Sequence, residues 1–165
     1  MRSTVSTRRK FGARLASILA GLGIPGAASN ARGAEAMKDV EKLGEDGKPV
    51  TGTPFIMPMV RHNGLIYVAG QGAHDARPSA QWDISSHTQK VLDRIKDLVE
   101  HGGSSMDHVV QLGVFLAKIE DYDGMNKVFK NYFPNGGPAR TTVAVAALPG
   151  NSLVEVNCIA AVTRR

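Results

Sequence analysis

The chain has 165 residues and 42% apolar content, enough for one domain with a hydrophobic core. Its net charge of +5 and pI of about 9.6 would suit a nucleic-acid binder, but residues 1–36 hold Arg2, Arg8, Arg9, Lys10, Arg14 and Arg32 against Glu35, leaving 14 of 20 basic and 14 of 15 acidic residues for positions 37–165. A neutral body lacks the basic stripe that neutralises phosphates, so nucleic acid is excluded as the expected partner.

The leader, residues 1–36, begins with a charged segment, Ser6-Thr7-Arg8-Arg9-Lys10-Phe11, and continues into a weakly apolar run from Ala13 to Ala28. Ala34-Glu35-Ala36 places small residues where a signal peptidase reads them. The paired arginines and the Gly/Ala-diluted run resemble a twin-arginine export signal, cleaved before Met37, which implies a periplasmic or secreted protein. A mitochondrial transit peptide, an uncleaved anchor and a cytoplasmic location stay open as rivals. Gly21, Gly23, Pro25 and Gly26 interrupt the apolar run, which argues against stable membrane insertion.

Residues 37–53 are charged and punctuated by Gly and Pro, so they read as a flexible arm ahead of a domain over 54–165. Phe55 to Arg61, with Pro54 just before it and Pro58 inside it, can form only an edge or irregular strand. After a turn at His62-Asn63-Gly64, the run Leu65 to Ala69 reads as a buried strand that stops at Gly70-Gln71-Gly72. Val91, Leu92, Ile95, Leu98 and Val99 share one stripe of a helix starting near Ile84, with Asp83 and Ser85 or Ser86 as caps and Gly102-Gly103 as its end. Val109 to Leu116 reads as a central strand, and Asp121 to Phe133 as a second amphipathic helix with Met125, Val128, Phe129, Tyr132 and Phe133 on its apolar side. Two strands follow, one after Pro138 and one over Leu153 to Thr163.

This order predicts an α+β layer with both helices on one sheet face. The last strands are apolar on both sides, so a second subunit is expected to cover the other face. If Pro149-Gly150-Asn151-Ser152 closes a hairpin, Arg140 faces Ala160 and Glu155 faces Val145. Arg140 and Glu155 then stand roughly 16 Å apart along the ladder, too far for one small substrate within one chain.

Few residues point to chemistry. Gly70-Gln71-Gly72 opens no phosphate-binding helix. The five histidines show no metal-ligand spacing, so no metal is expected. Cys158, the single cysteine, lies in an apolar strand and reads as a small buried hydrophobe. Arg140 immediately precedes a β-branched strand and is either a surface ion-pair residue or a fork held ready for a carboxylate. Glu155 sits in an otherwise apolar strand; it either pairs with a lysine or faces solvent, or it is a positioned acid/base with a raised pKa.

Gly64-Leu65-Ile66-Tyr67-Val68-Ala69-Gly70-Gln71, the Met125-Asn126 pair, Gly137-Pro138-Ala139-Arg140-Thr141-Thr142-Val143, Leu148-Pro149 and Val154-Glu155-Val156 together resemble the RidA/YjgF family, over about Phe55 to Val162. The resemblance implies a chorismate-mutase-like α+β fold, a mixed sheet with two helices on one face, forming a homotrimer with clefts between subunits. It also implies hydrolysis of 2-imino acids or enamines to 2-keto acids and ammonia, without metal or organic cofactor. Arg140 matches the arginine that binds the substrate carboxylate, and Glu155 the glutamate that positions or activates water. Gly70, Gln71 and Asn126 match cleft-lining positions. Two positions depart from the family pattern: Phe55 stands near an expected tyrosine and Ala69 at an expected serine, so the cleft has lost two hydroxyls. A carboxylate-binding sensor or carrier without turnover, or a holdase-like trimer, is the rival function.

Overall fold

The computed structural model describes residues 40–74 and 82–163, so the export signal expected over 1–36 lies outside the described residues. The elements are β1 (Glu41–Leu43), β2 (Met59–His62), β3 (Leu65–Gly72), α1 (Ile84–His101), β4 (Val109–Leu116), α2 (Tyr122–Tyr132), β5 (Ala139–Ala144) and β6 (Val154–Ala161). They form one six-stranded mixed sheet in the order β1-β2-β3-β6-β4-β5. Both helices pack on one face of it. Among the described residues no helix is long and apolar enough to cross a membrane.

Local chemistry explains most boundaries. Asn63 and Gly64 both have positive φ, 49° and 76°, the geometry that a two-residue turn between β2 and β3 requires. Asp83 caps α1 by accepting from the Ser86 N–H at 2.9 Å, while the Ser86 hydroxyl accepts from the Asp83 N–H at 3.0 Å. At the other end the Gly102 N–H donates to Leu98 O, and Gly103 turns the chain at φ 90°. Val91, Leu92, Ile95 and Val99 are completely buried against the sheet, as their spacing predicts.

The structure corrects three expectations. The segment 37–53 is not a flexible arm throughout: Glu41–Leu43 adds an edge strand to β2, and Leu43 is 0% exposed. Arg61 clasps Glu41 with donors at 2.9 and 2.7 Å, and His101 Nδ1 meets Glu45 O at 2.8 Å. One buried leucine and these polar contacts outweigh the turn-forming composition that made the segment look like a loop. Leu43→Ala should therefore cost about 2–4 kcal/mol in urea unfolding at fixed protein concentration. A loss below about 0.5 kcal/mol, the size of a surface change, would mean that β1 is dispensable.

Second, β3 does not stop at Gly70. It continues through Gly72 across a register shift between Val68 and Gln71 in its pairing with β6. The glycines that looked like a terminator instead carry a β-bulge.

Third, β5 and β6 are not a hairpin. β5 pairs with β4 in parallel, Arg140 opposite Leu112, while β6 inserts antiparallel between β3 and β4. Glu155 lies opposite Phe115 and Gly72 rather than Val145, and Ala160 lies opposite Ile66 and Val109 rather than Arg140. The physical reason is that β4, α2 and β5 form a crossover unit, and a strand returning through a helix pairs parallel with its predecessor. The slot between β3 and β4 buries the apolar side of β6 completely or nearly so, from Val154 and Val156 to Cys158 and Ala160.

Among the described residues nothing packs on the face away from the helices. Tyr67 and Val143 are exposed on it. Together with Gln111, Phe115, Asn157 and Ile159 they line a shallow concavity of about 420 Å³.

Candidate functional site

Arg140 sits on the free edge strand of the sheet. Because it lies opposite buried Leu112, its side chain leaves on the helix side. The guanidinium carbon is 4.5 Å from the Phe129 ring centre and 5.8 Å from that of Tyr122. Nη2 donates to the Tyr122 hydroxyl at 3.3 Å, and Nη1 is 3.9 Å from Met125 Sδ. Tyr122, Met125, Asn126 and Phe129 follow the spacing i, i+3, i+4, i+7, so one face of α2 makes the seat.

Among the described residues no carboxylate stands within ion-pair distance of Arg140. The surface ion pair that the sequence left open is not formed here. Stacking on aromatic rings contributes about 0.5–2 kcal/mol and leaves most of the planar donor fork for another acceptor. Such a cation is orientated, half-buried and short of a counter-charge.

Glu155 lies on the opposite side of the sheet. It pairs with Phe115 and Gly72, and its side chain is 23% exposed. Oε2 is 3.8 Å from His74 Nε2. Oε1 lies over Gly70 in the β3 bulge, where any Cβ would collide with it. Thus neither a lysine partner nor full solvent exposure describes this carboxylate. Its strand is pinned at the start. The Leu153 N–H donates to His87 Nδ1 at 3.1 Å, and Ser152 Oγ donates to Val154 O at 2.6 Å while accepting the Ala73 N–H at 2.9 Å. Burial is the main cause holding the His87 pKa below its usual value, which keeps the ring neutral and its Nδ1 able to accept. Cys158 is the small buried hydrophobe expected, its thiol pushed up to about 12 by burial.

Within one chain Arg140 and Glu155 do not meet. They are two strand spacings and three residues apart, roughly 14 Å in the sheet plane, and point to opposite faces. The remaining expected residues divide between them. Asn126 is on the α2 face that seats Arg140, and Gly70 underlies Glu155. Gln71 turns the other way: its buried amide donates to Ala69 O at 3.0 Å, and it lies with Arg94, Leu98 and His101 beside α1. Phe55 is 100% exposed in the loop before β2 and joins neither group. Tyr122 as a hydroxyl partner of Arg140 and His74 as a partner of Glu155 escaped sequence reasoning. Tyr122 stood just ahead of a helical stripe, and nothing in the spacing links it to a strand 18 positions on. Among the described residues no three His, Cys, Asp or Glu side chains are grouped to hold a metal.

Comparison with known proteins agrees with the fold. The family model described as endoribonuclease L-PSP matches residues 47–162. The protein named mmf2, mitochondrial, of Schizosaccharomyces pombe is 34% identical over 105 residues, covering 62% of this chain and 83% of that one. A RutC family protein of Pyrococcus abyssi is 35% identical over 103 residues, covering 61% and 81%. Among solved structures, yeast Mmf1 superposes with a TM-score of 0.66 at 28% identity, covering 76% of this chain and all of that one. A Neisseria meningitidis member of the YjgF family superposes with a TM-score of 0.64 at 26% identity, covering 77% and 98%. The matched span includes both Arg140 and Glu155 with the elements that hold them, and the chain belongs to the endoribonuclease L-PSP family, the RidA/YjgF family that its motifs resemble.

Proposed function

We propose that the chain is a cofactor-independent deaminase that hydrolyses 2-imino acids or their enamine tautomers to 2-keto acids and ammonia. The observation that carries the reading is Arg140: a guanidinium fixed over two rings, with no carboxylate partner among the described residues. Since Arg140 and Glu155 face opposite sides of one sheet, a shared substrate requires two subunits, and our reading places it in a homotrimer in which one subunit supplies the arginine and its neighbour the glutamate. The free β5 edge and the open apolar face support that assembly. In it the exposed Phe55 would reach a neighbour's cleft.

The chemistry needs little machinery. An iminium carbon is already electrophilic, so orientation, a water and a proton acceptor suffice. Arg140 grips the carboxylate and Glu155 takes a proton from water as its oxygen bonds to carbon and the C=N pair moves to nitrogen. Glu155 returns that proton to nitrogen, and ammonia leaves with the C–N pair. The hydroxyl oxygen closes the C=O bond and releases its own proton to the ammonia. Atoms and charge balance as iminium plus water to ketone plus ammonium.

The rival, a carboxylate-binding trimer without turnover, is favoured by one observation: Ala69 and Phe55 carry no hydroxyl. The word endoribonuclease in the family description does not decide for RNA, since positions 37–165 are neutral. For location, the leader supports export to the periplasm or beyond, while the names of the mmf2 and MMF1 relatives, both called mitochondrial, support the transit-peptide alternative. The test is hydrolysis of the imine generated in situ from leucine by an amino-acid oxidase, with the mass by light scattering alongside. Acceleration over buffer by a species of three subunits is expected. Saturable binding of a 2-keto acid with no acceleration would decide for the rival.

A further inference from the structure

His74 follows β3 directly, and the fold builds a place for it. The buried hydrogen bond from the Ala73 N–H to Ser152 Oγ anchors the backbone one residue before it. Three glycines clear the space around the His74–Glu155 pair. A Cβ on Gly72 would run into the imidazole, its three nearest atoms all belonging to that ring. A Cβ on Gly70 would strike Glu155 Oε1. One on Gly150 would lie 2.8 Å from His74 Cβ and 3.0 Å from its Cα, and Gly150 also has φ 61°. A surface histidine with no task would not need backbone from three separate positions to be bare. The two carboxylate oxygens of Glu155 are thereby made unequal. Oε2 faces His74 at 3.8 Å, and Oε1 lies over Gly70. That separation is longer than a direct hydrogen bond but within ion-pair distance, and a small side-chain rotation would close it.

We propose that His74 is the positioning residue for Glu155: it engages Oε2 and leaves Oε1, above Gly70, to hold and deprotonate the attacking water. The inference rests on the imine-hydrolysis reading. The O–H bond of water breaks toward Oε1 as its oxygen bonds to the iminium carbon, and His74 itself forms and breaks no bond. With its side chain 44% exposed, His74 can be replaced without opening the core.

The test uses the full chain and the leucine-derived imine. His74→Ala should lower kcat about tenfold with KM unchanged within about twofold, the low end of the effect of losing a group that orients a reacting side chain. His74→Gln, which keeps a donor, should restore most of the rate. Gly72→Ala should reproduce the loss by displacing the ring, yet add nothing in the His74→Ala background, where the methyl group fills vacated space. Additive losses, or a His74→Ala kcat within about twofold of the parent, would overturn the proposal. A second readout needs no turnover: the His74 ring-nitrogen NMR resonances should move in Glu155→Gln and in Gly72→Ala, and unmoved resonances in both would overturn it. A parent chain without hydrolysis sinks the reaction reading, and the resonances still decide whether His74 holds Glu155.

Discussion

Replacing Arg140 with alanine should lower kcat/KM for imine hydrolysis by about 30- to 1,000-fold, because truncating one member of a desolvated charge pair costs about 2–4 kcal/mol. The expected loss is large because little else in the described structure offers a positive charge to a carboxylate at that place. Arg140→Lys should recover only part of the rate, since an ammonium keeps the charge but loses the planar fork and the stacking on Phe129 and Tyr122. Tyr122→Phe removes one hydrogen bond to the guanidinium and should cost at most about tenfold. Steady-state kinetics on the three variants, each with its mass in solution matched to the parent's, checks the series. An Arg140→Ala enzyme within about threefold of the parent would remove the residue from the site.

Glu155→Gln should lower kcat by about 100-fold or more while leaving KM nearly unchanged, because the amide fills the same space but accepts no proton from water. The split between kcat and KM separates this residue from Arg140, whose loss also weakens ground-state binding. A second comparison guards against a packing artefact. Gly70→Ala drives a methyl group into Oε1, so it should reduce kcat without deleting the carboxylate. If Glu155→Gln instead raises KM and spares kcat, the glutamate orients substrate and the base lies elsewhere.

The elements of the domain were legible because each rests on a local rule. The α1 stripe from Val91 to Val99 is a matter of spacing, and its ends follow from Asp83 and from Gly102-Gly103. The apolar run Val109 to Leu116 is a strand by composition and length alone. Glu155 stood out because a carboxylate in an apolar strand is expensive to bury unpaired, and Arg140 because a family likeness marks it. β1 was missed because one leucine among turn-forming residues leaves no periodic trace, although its burial is complete.

What the chain order could not settle is which strands become neighbours. A short connection between β5 and β6 looks like a hairpin, but pairing is decided by burial over the whole sheet. Inserting β6 between β3 and β4 gives Val154, Val156, Cys158 and Ala160 neighbours on both sides, and the crossover through α2 commits β5 to β4. That choice sends Arg140 to the helix side, over Phe129, and Glu155 to the open side, beside His74. The sequence by itself determined which residues were candidates and which segments were helix or strand, because those depend on near neighbours. Only the tertiary structure decided that the two charged groups face opposite ways, because a side chain's face depends on the register of strands far apart in the chain.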